Sequence, residues 1–142
     1  MRTLTLALIA SLALAGSAWA GADPQNPPDD HSVTISPVPL PVVVGGQVVN
    51  YVFVTAKVML NPRADEFAIR DKEPFFRDAL VRDAYRTPFL VPNDYNRIDE
   101  GKLRAALYRD ATAIAGQGAI REVVIVSQTP QRFVRAPHAA PF

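Results

Sequence analysis

The stretch QVVNYVFVTAKVML, residues 47–60, decides the fold of this chain. Its even-numbered positions are apolar except Asn50, whereas its odd-numbered positions mix apolar, polar and charged side chains. An apolar residue at every second position is typical of a β-strand with one face against a core and the other partly in water. Asn61-Pro62 ends the pattern. Residues 47–60 therefore predict a strand that needs a covering layer on one side.

A second apolar run, VPLPVVV at Val38–Val44, precedes this strand and is separated from it by Gly45-Gly46. Two glycines between two β-rich runs predict a hairpin, because glycine accepts the positive φ that a tight turn requires. Pro39 and Pro41 cannot donate hydrogen bonds to a neighbouring strand. We therefore expect the first strand to lie at an edge of the sheet.

Two amphipathic helices are predicted in the second half of the chain. The first begins at Glu73-Pro74, with Asp71 as its expected cap. Its apolar stripe consists of Phe76, Leu80, Val81 and Ala84. The second begins after Asp99, a good N-cap, and ends at Gly116. Its apolar stripe consists of Leu103, Ala106, Leu107, Ala111 and Ile114. Such stripes predict helices that each bury one side against a core.

The last predicted element is a strand. Val123–Val126 is apolar at consecutive positions, which favours a central strand covered on both faces, and Pro130 ends it. Thr87–Arg97, between the two helices, contains two prolines and predicts a loop. The predicted fold class is therefore α+β: a small three-stranded sheet, in the order β-β-α-α-β, with two helices packed on one face.

The N-terminus carries a secretory signal pattern. Arg2 supplies a positive charge, Thr3–Ala15 is apolar, and the sequence Ala-Trp-Ala at residues 18–20 places small residues where signal peptidase reads them. The competing interpretation is a retained anchor in the inner membrane over residues 3–20. That stretch is slightly shorter than the about 20 apolar residues of a spanning helix. We therefore predict cleavage and localisation in the periplasm.

The rest of the chain divides by composition. The stretch after the signal is rich in proline, aspartate and asparagine, and the C-terminus carries two further prolines. We predict a signal peptide at residues 1–20, a flexible tether at 21–36, one folded domain at 37–131 and a disordered tail at 132–142. Hydrophobic residues make up 49% of the chain, enough for a core.

The residue types argue against catalysis. The chain has no cysteine, and its only histidines, His31 and His138, lie in the predicted tether and tail. Paired carboxylates such as Asp78 and Asp83 have structural explanations as helix caps or arginine partners, and the sequence indicates no cleft that would separate their pKa values. We predict no enzyme and no catalytic, cofactor-binding or metal-binding residues. A formal net charge of +1 also disfavours nucleic acid as a partner.

Four residues are candidates for contact with a partner. Phe89, Leu90 and Tyr95 lie in the predicted loop, where they either cover the core or form an exposed apolar patch. Asp110 lies at the edge of the apolar stripe of the second helix. A half-buried carboxylate needs a partner, which is either an arginine of the first helix or a group on another protein.

The block Pro39–Gln131 resembles the extracytoplasmic domain of the flagellar basal-body-associated FliL family. Four stretches carry the resemblance: VPLPVVV with the strand VVNYVFVTAKVML at residues 38–60, KEPFFRDALVRDAYRTPF at 72–89, IDEGKLRAALYRDATAI at 98–114 and IREVVIVSQTPQ at 120–131. They share hydrophobic spacing and element order with the family, and they contain no catalytic motif.

The resemblance implies a non-enzymatic accessory protein of the bacterial envelope without a cofactor. It implies a fold similar to the stomatin/prohibitin domain, binding to envelope proteins with the flagellar stator among them, and self-association. The family keeps an N-terminal transmembrane helix, whereas this chain begins with a cleavable signal, so contact with the membrane is expected only if residues 3–20 are retained. The alternative is a periplasmic protein- or ligand-binding module unrelated to motility.

Processing of the signal is directly testable. The exported protein should begin at Gly21 and show no tryptophan fluorescence, because Trp19 is the only tryptophan. N-terminal sequencing and emission spectra of the protein isolated from the periplasm measure both. A protein that stays in the membrane fraction with tryptophan emission would show that the segment is an anchor.

Overall fold

The computed structural model describes residues 31–136, and in that part of the chain it contains five strands and three helices. In chain order they are β1 Ser32–Val44, β2 Gln47–Leu60, α1 Glu66–Arg70, α2 Glu73–Arg86, β3 Leu90–Val91, β4 Asp94–Ile98, α3 Glu100–Ala115 and β5 Ile120–Pro130. The predictions for the signal peptide, for most of the tether and for His138 lie outside the described residues.

Strands β1, β2 and β5 form an antiparallel sheet with β2 in the centre. Gly45 and Gly46 make the β1–β2 turn with φ angles of 57° and 79°, a conformation that glycine adopts without steric cost. This confirms the predicted hairpin and the edge position of β1. The α+β class, with a three-stranded sheet and helices on one face, is also confirmed.

The prediction that Val123–Val126 forms a central strand is wrong, because β5 lies at the other edge of the sheet. Val123 is buried, but Val124 pairs with Lys57 on the sheet face that none of the described helices covers, and it is exposed. Val126 lies at a break in the register between β5 and β2. Consecutive valines here reflect an uncovered face and a bulge, rather than burial on both sides.

The core lies between the sheet and two helices. Val52, Val54, Ala56 and Val58 of β2 are buried, in agreement with the predicted alternation. Helix α2 packs on β1 and α3 packs on β5. The predicted helical stripes face this core, and their fully buried members are Phe76, Leu80, Ala84, Leu103, Leu107 and Ala111. Among the helices described, none is long and apolar enough to cross a membrane.

The structured region begins before residue 37, so the predicted tether was too long. Val33 and Ile35 of β1 alternate with exposed residues and are buried in the core. His31, predicted in the tether, is also fixed: its ring nitrogens lie 2.9 Å from the Ala64 carbonyl oxygen and 3.1 Å from the Glu66 carboxylate. The alternation of apolar residues in Val33-Thr34-Ile35 indicates a strand, but the proline-rich sequence around it obscured this pattern.

Helix α1 was not predicted, and it changes the start of α2. Asp65 caps α1 by accepting a hydrogen bond from the Ala68 amide at 3.1 Å. Asp71, the expected cap of α2, instead ends α1, and the N-cap of α2 is Lys72 without a side-chain hydrogen bond. A five-residue helix with one buried side chain, Ile69, is too short to show a helical period.

The predicted loop at Thr87–Arg97 contains a short hairpin. Strand β3 pairs with β4 through a two-residue turn at Pro92 and Asn93, and Asn93 has a φ of 59°. Proline followed by a residue with positive φ is the pattern of a type II turn, which explains how a proline-rich stretch turns back on itself. The hairpin lies beside β2 and β5.

Asn50 is the polar exception in β2, and its side chain is 3% exposed. Its amide nitrogen donates to the carbonyl oxygens of Tyr95 at 2.9 Å and Arg132 at 2.8 Å, and its oxygen accepts from the Tyr51 amide at 2.9 Å. The buried amide is therefore satisfied on both sides. It joins the central strand to β4 and to the segment that follows β5.

Asn50→Ala should lower the free energy of unfolding by about 2 kcal/mol, because it leaves buried backbone groups without partners. Chemical denaturation measures the loss, and amide hydrogen exchange should rise at Tyr51, whose N–H donates to the Asn50 side-chain oxygen. The control is Gln47→Ala, an exposed position in the same strand, which should change stability by less than about 0.5 kcal/mol. Equal stability of the two variants would contradict this role of Asn50.

Candidate partner-binding groove

Helices α2 and α3 run in opposite directions and leave a groove between them. Two contacts join the helices: Lys72 Nζ at the start of α2 donates to the Ile114 carbonyl oxygen near the end of α3 at 3.2 Å, and Asp83 of α2 pairs with Arg109 of α3 within the groove. The open groove has a volume of about 660 Å³ and continues to Thr87 and Phe89 beyond α2. Its small lining residues are Ala79, Ala105 and Ala106. These side chains leave space between the helices that longer ones would fill.

The groove carries an excess of positive charge. Four basic and two acidic side chains line it: Arg82, Arg86, Lys102, Arg109, Asp83 and Asp110. Arg82 pairs with Asp78, and Arg109 pairs with both aspartates of the groove. Within residues 31–136, Arg86 and Lys102 form no ion pair. These two cations are therefore available to an anionic group that enters the groove.

One guanidinium holds two carboxylates together. Arg109 Nε donates to Asp110 Oδ1 at 3.1 Å, and the same guanidinium contacts Asp83 on α2. The Asp110 side chain is 15% exposed, and its Oδ2 atom is buried without a hydrogen-bond partner in the described part of the chain. Burial raises the pKa of Asp110, the nearby Asp83 charge adds to this, and the hydrogen bond from Arg109 opposes it.

The expected ion pair between Asp110 and an arginine of the first predicted helix is not formed. Helix α2 presents Asp83, an acid, and the arginine comes from α3 itself. The expectation arose because Arg82 and Arg86 both lie on the side of α2 that borders the groove. Arg82 instead forms an ion pair with Asp78, which lies one turn earlier on the same helix.

The structure brings two of the four candidate contact residues together. Phe89 and Asp110 both line the groove, although Phe89 is 4% exposed and serves mainly as part of the core. Leu90 and Tyr95 lie in the β3–β4 hairpin, where they are partly buried against the core and do not line the groove. The loop side chains therefore act chiefly as a cover, and the apolar patch is not exposed as a unit.

Arg86 and Lys102 were not singled out in the sequence. Arg86 lies in the last turn of α2, and Lys102 lies in the first turn of α3. Their spacing in the sequence does not indicate that they lie close together, because they belong to two helices whose relative position the sequence does not specify. A search for basic residues near helix ends that lack an acid at i±4 would have found them.

The groove is lined by charged side chains and contains no typical catalytic group among the described residues. Its lining has one hydroxyl, Thr87, and no histidine, and His31 lies beside α1 instead. In the described residues, no three His, Asp or Glu side chains are placed to hold a metal ion. The arrangement suits electrostatic binding of an anionic surface group by Arg86 and Lys102.

Comparison with known proteins gives no assignment: the sequence matches neither a model of a protein family nor a curated protein.

Asp110→Asn should raise the free energy of unfolding at neutral pH by about 1 kcal/mol, the lower range for an unsatisfied buried group. The folded-state pKa of Asp110 is raised, so the buried charge destabilises the fold above that pKa and is removed by protonation below it. The gain should therefore shrink as the pH falls through the raised pKa.

Denaturation curves of both proteins across acidic and neutral pH measure this difference. Asp78→Asn, which removes an exposed acid paired with Arg82, is the control and should change stability by less than about 0.5 kcal/mol at any of these pH values. A loss of stability in Asp110→Asn at neutral pH would show that the carboxylate is a net stabilising group.

Proposed function

We propose that this chain is an exported, non-enzymatic accessory protein of the bacterial envelope that binds a partner protein through the α2–α3 groove. The observation that carries the proposal is the pair of cations, Arg86 and Lys102, that line the groove without an acid partner among residues 31–136. An anionic segment of another protein supplies the missing charges. This function needs no cofactor and no catalytic residue.

The form of the groove favours a protein segment over a small molecule. Small-molecule sites are concave, mostly apolar and enclose most of their ligand. Here the groove is open along its length, has charged side chains on both helices, and offers alanines as its apolar surface. A helix or extended segment with acidic residues fits such a surface, with its side chains between α2 and α3.

The connection with motility comes from the resemblance to the FliL family. On that resemblance the proposed partner class is the flagellar motor, with its stator units as the first candidates. Self-association belongs to the same proposal. The periplasm is the proposed location, because the signal pattern at residues 1–20 directs the chain there.

A second function is a periplasmic binding module unrelated to motility. The observation that favours it is the N-terminal pattern, since cleavage after residue 20 would remove that apolar segment, and no helix described within residues 31–136 is long and apolar enough to span a membrane. The groove would serve such a module equally well, because its charges select an acidic partner of any origin. The two functions differ in the partner and not in the chemistry of binding.

Complementation of a deletion strain tests the proposal. Loss of the chain should reduce swimming, and the wild-type chain should restore it. The double variant Arg86→Glu/Lys102→Glu should fail to restore swimming, because it reverses both free charges of the groove. Arg63→Glu, which reverses an exposed arginine in the turn after β2, is the matched control and should restore swimming fully.

Co-purification from the periplasm gives the second measurement. The wild-type and Arg63→Glu proteins should retain the same partner, and the double variant should lose it while remaining folded by circular dichroism. Normal swimming of the deletion strain with charge-dependent capture of a partner would select the module unrelated to motility. Retention of the partner by the double variant would exclude the groove as the binding site.

A further inference from the structure

The two edges of the three-stranded sheet differ in their capacity to pair with another strand. Pro39 and Pro41 of β1 lie opposite Phe53 and Tyr51 in an uninterrupted ladder with β2. A proline nitrogen that faced β2 would remove a hydrogen bond from that ladder, so both nitrogens face outward. Since residues two apart point to the same edge, the free side of β1 lacks two successive donors and is a poor template for pairing.

The other edge lacks such prolines, and the β3–β4 hairpin flanks only its last residues, where the Gln128 side chain bonds to the Ile98 backbone. Strand β5, Ile120–Pro130, has a main-chain neighbour only on its β2 side in the described part of the chain. It contains no proline before its last residue, and its exposed side chains include Val124 and Val126. An edge strand with free backbone groups and exposed β-branched residues is a surface that favours pairing with another strand.

The flank of α3 extends this surface below the strand. Helix α3 packs under β5, and Glu100 accepts a hydrogen bond from Gln128 of β5 at 3.1 Å. Helical spacing places Arg104 and the exposed Tyr108 on the side of α3 that faces away from the groove. The exposed Tyr108 therefore adds, on the helix side of β5, a side chain of the kind enriched at protein interfaces, whereas Val124 lies on the opposite face of the sheet.

We infer that the β5 edge pairs antiparallel with the β5 edge of a second copy of this chain. Such an interface is isologous, so it must be complementary to itself. The edge fulfils this condition, because β5 carries Arg121 beside Glu122 and the α3 flank carries Arg104 paired with Glu100 at 3.9 Å. Each copy thus presents both signs of charge to the other.

The same reasoning excludes the groove as the surface for a second copy. Its excess of two positive charges would face an identical excess across a twofold axis. The blocked edge of β1 also limits the assembly: pairing at β5 uses the open edge of the described three-stranded sheet in each copy, so that sheet closes as a dimer of six strands and does not continue into a fibre. The inferred dimer depends on the free edge of β5 and is independent of the partner proposed for the α2–α3 groove.

The first experiment measures self-association of the full-length exported protein by sedimentation over a range of concentrations. The wild-type protein should form a dimer. Val126→Lys places a charge at the edge and should weaken the dimer by at least about tenfold, which corresponds to about 1.4 kcal/mol. The matched control is Val48→Lys: Val126 is 53% exposed and Val48 is 40% exposed, but Val48 lies in β2 near the hairpin turn. It should leave the dimer unchanged.

The second experiment locates the twofold axis. The natural chain has no cysteine, so single cysteines introduced at each position from 121 to 127 can be oxidised one at a time. A residue on the axis meets its own copy, and each step along the strand separates the copies by about 7 Å, twice the rise per residue. Disulfide formation should therefore peak at one position and fall on both sides, because the Cα atoms of a disulfide lie within about 7 Å.

Thr34→Cys in β1 is the control and should not cross-link. A wild-type protein that remains monomeric at every concentration would overturn the inference and leave the edge to another protein's strand or to residues 1–30. A dimer that persists in Val126→Lys, or one that cross-links equally at every position, would also overturn it. Loss of the dimer without loss of partner capture would separate this surface from the groove.

Discussion

The buried face of β2 sets the arrangement of the other elements. Its alternate side chains must be kept from water, and β1 and β5 already occupy both of its edges, so the cover comes from elements packed on that face: α2 and α3, with the β3–β4 hairpin beside them. The distance from β1 to β5 is two strand spacings, about 9.5 Å. That is close to the 8–10 Å between the axes of two packed helices. One helix therefore fits under each outer strand, and the space where the two helices meet becomes the groove.

Helix α3 separates two surfaces of different electrostatic character. On one side, Arg86 and Lys102 add to a net positive groove that attracts acidic groups and repels a second copy of itself. On the other side, Glu100, Arg104 and the neighbouring charges of β5 balance each other. A partner in the groove and a copy at the strand edge would thus bind without competition. The separation follows from the position of α3 between the helix pair and the open edge of the sheet.

Local sequence patterns predicted most of the helices and strands, whereas tertiary contacts determine the strand order and the ion pairs, which those patterns do not specify. The period of two in β2, the glycine pair and the Asp99 cap each act over a few residues, and each was confirmed. The edge position of β5 was not predicted, because a run of valines occurs both in a strand that is buried on two faces and in a strand that is buried on one. The charges of the groove were missed for a similar reason: which arginine meets Asp110 depends on how two helices lie side by side. Asn50 appeared only as an exception to the strand pattern, since its partners Tyr95 and Arg132 lie 45 and 82 residues away.

The hydrogen bonds of His31 have a geometric consequence for the N-terminus. They fix the domain from residue 31, so only ten residues separate it from the end of the predicted signal segment at residue 20. Ten residues at full extension span about 35 Å. An uncleaved chain would therefore keep the domain within roughly its own diameter of the bilayer surface, where it could meet only the membrane-proximal parts of other proteins. A single proteolytic cut would change a surface-bound molecule into one that diffuses through the whole compartment.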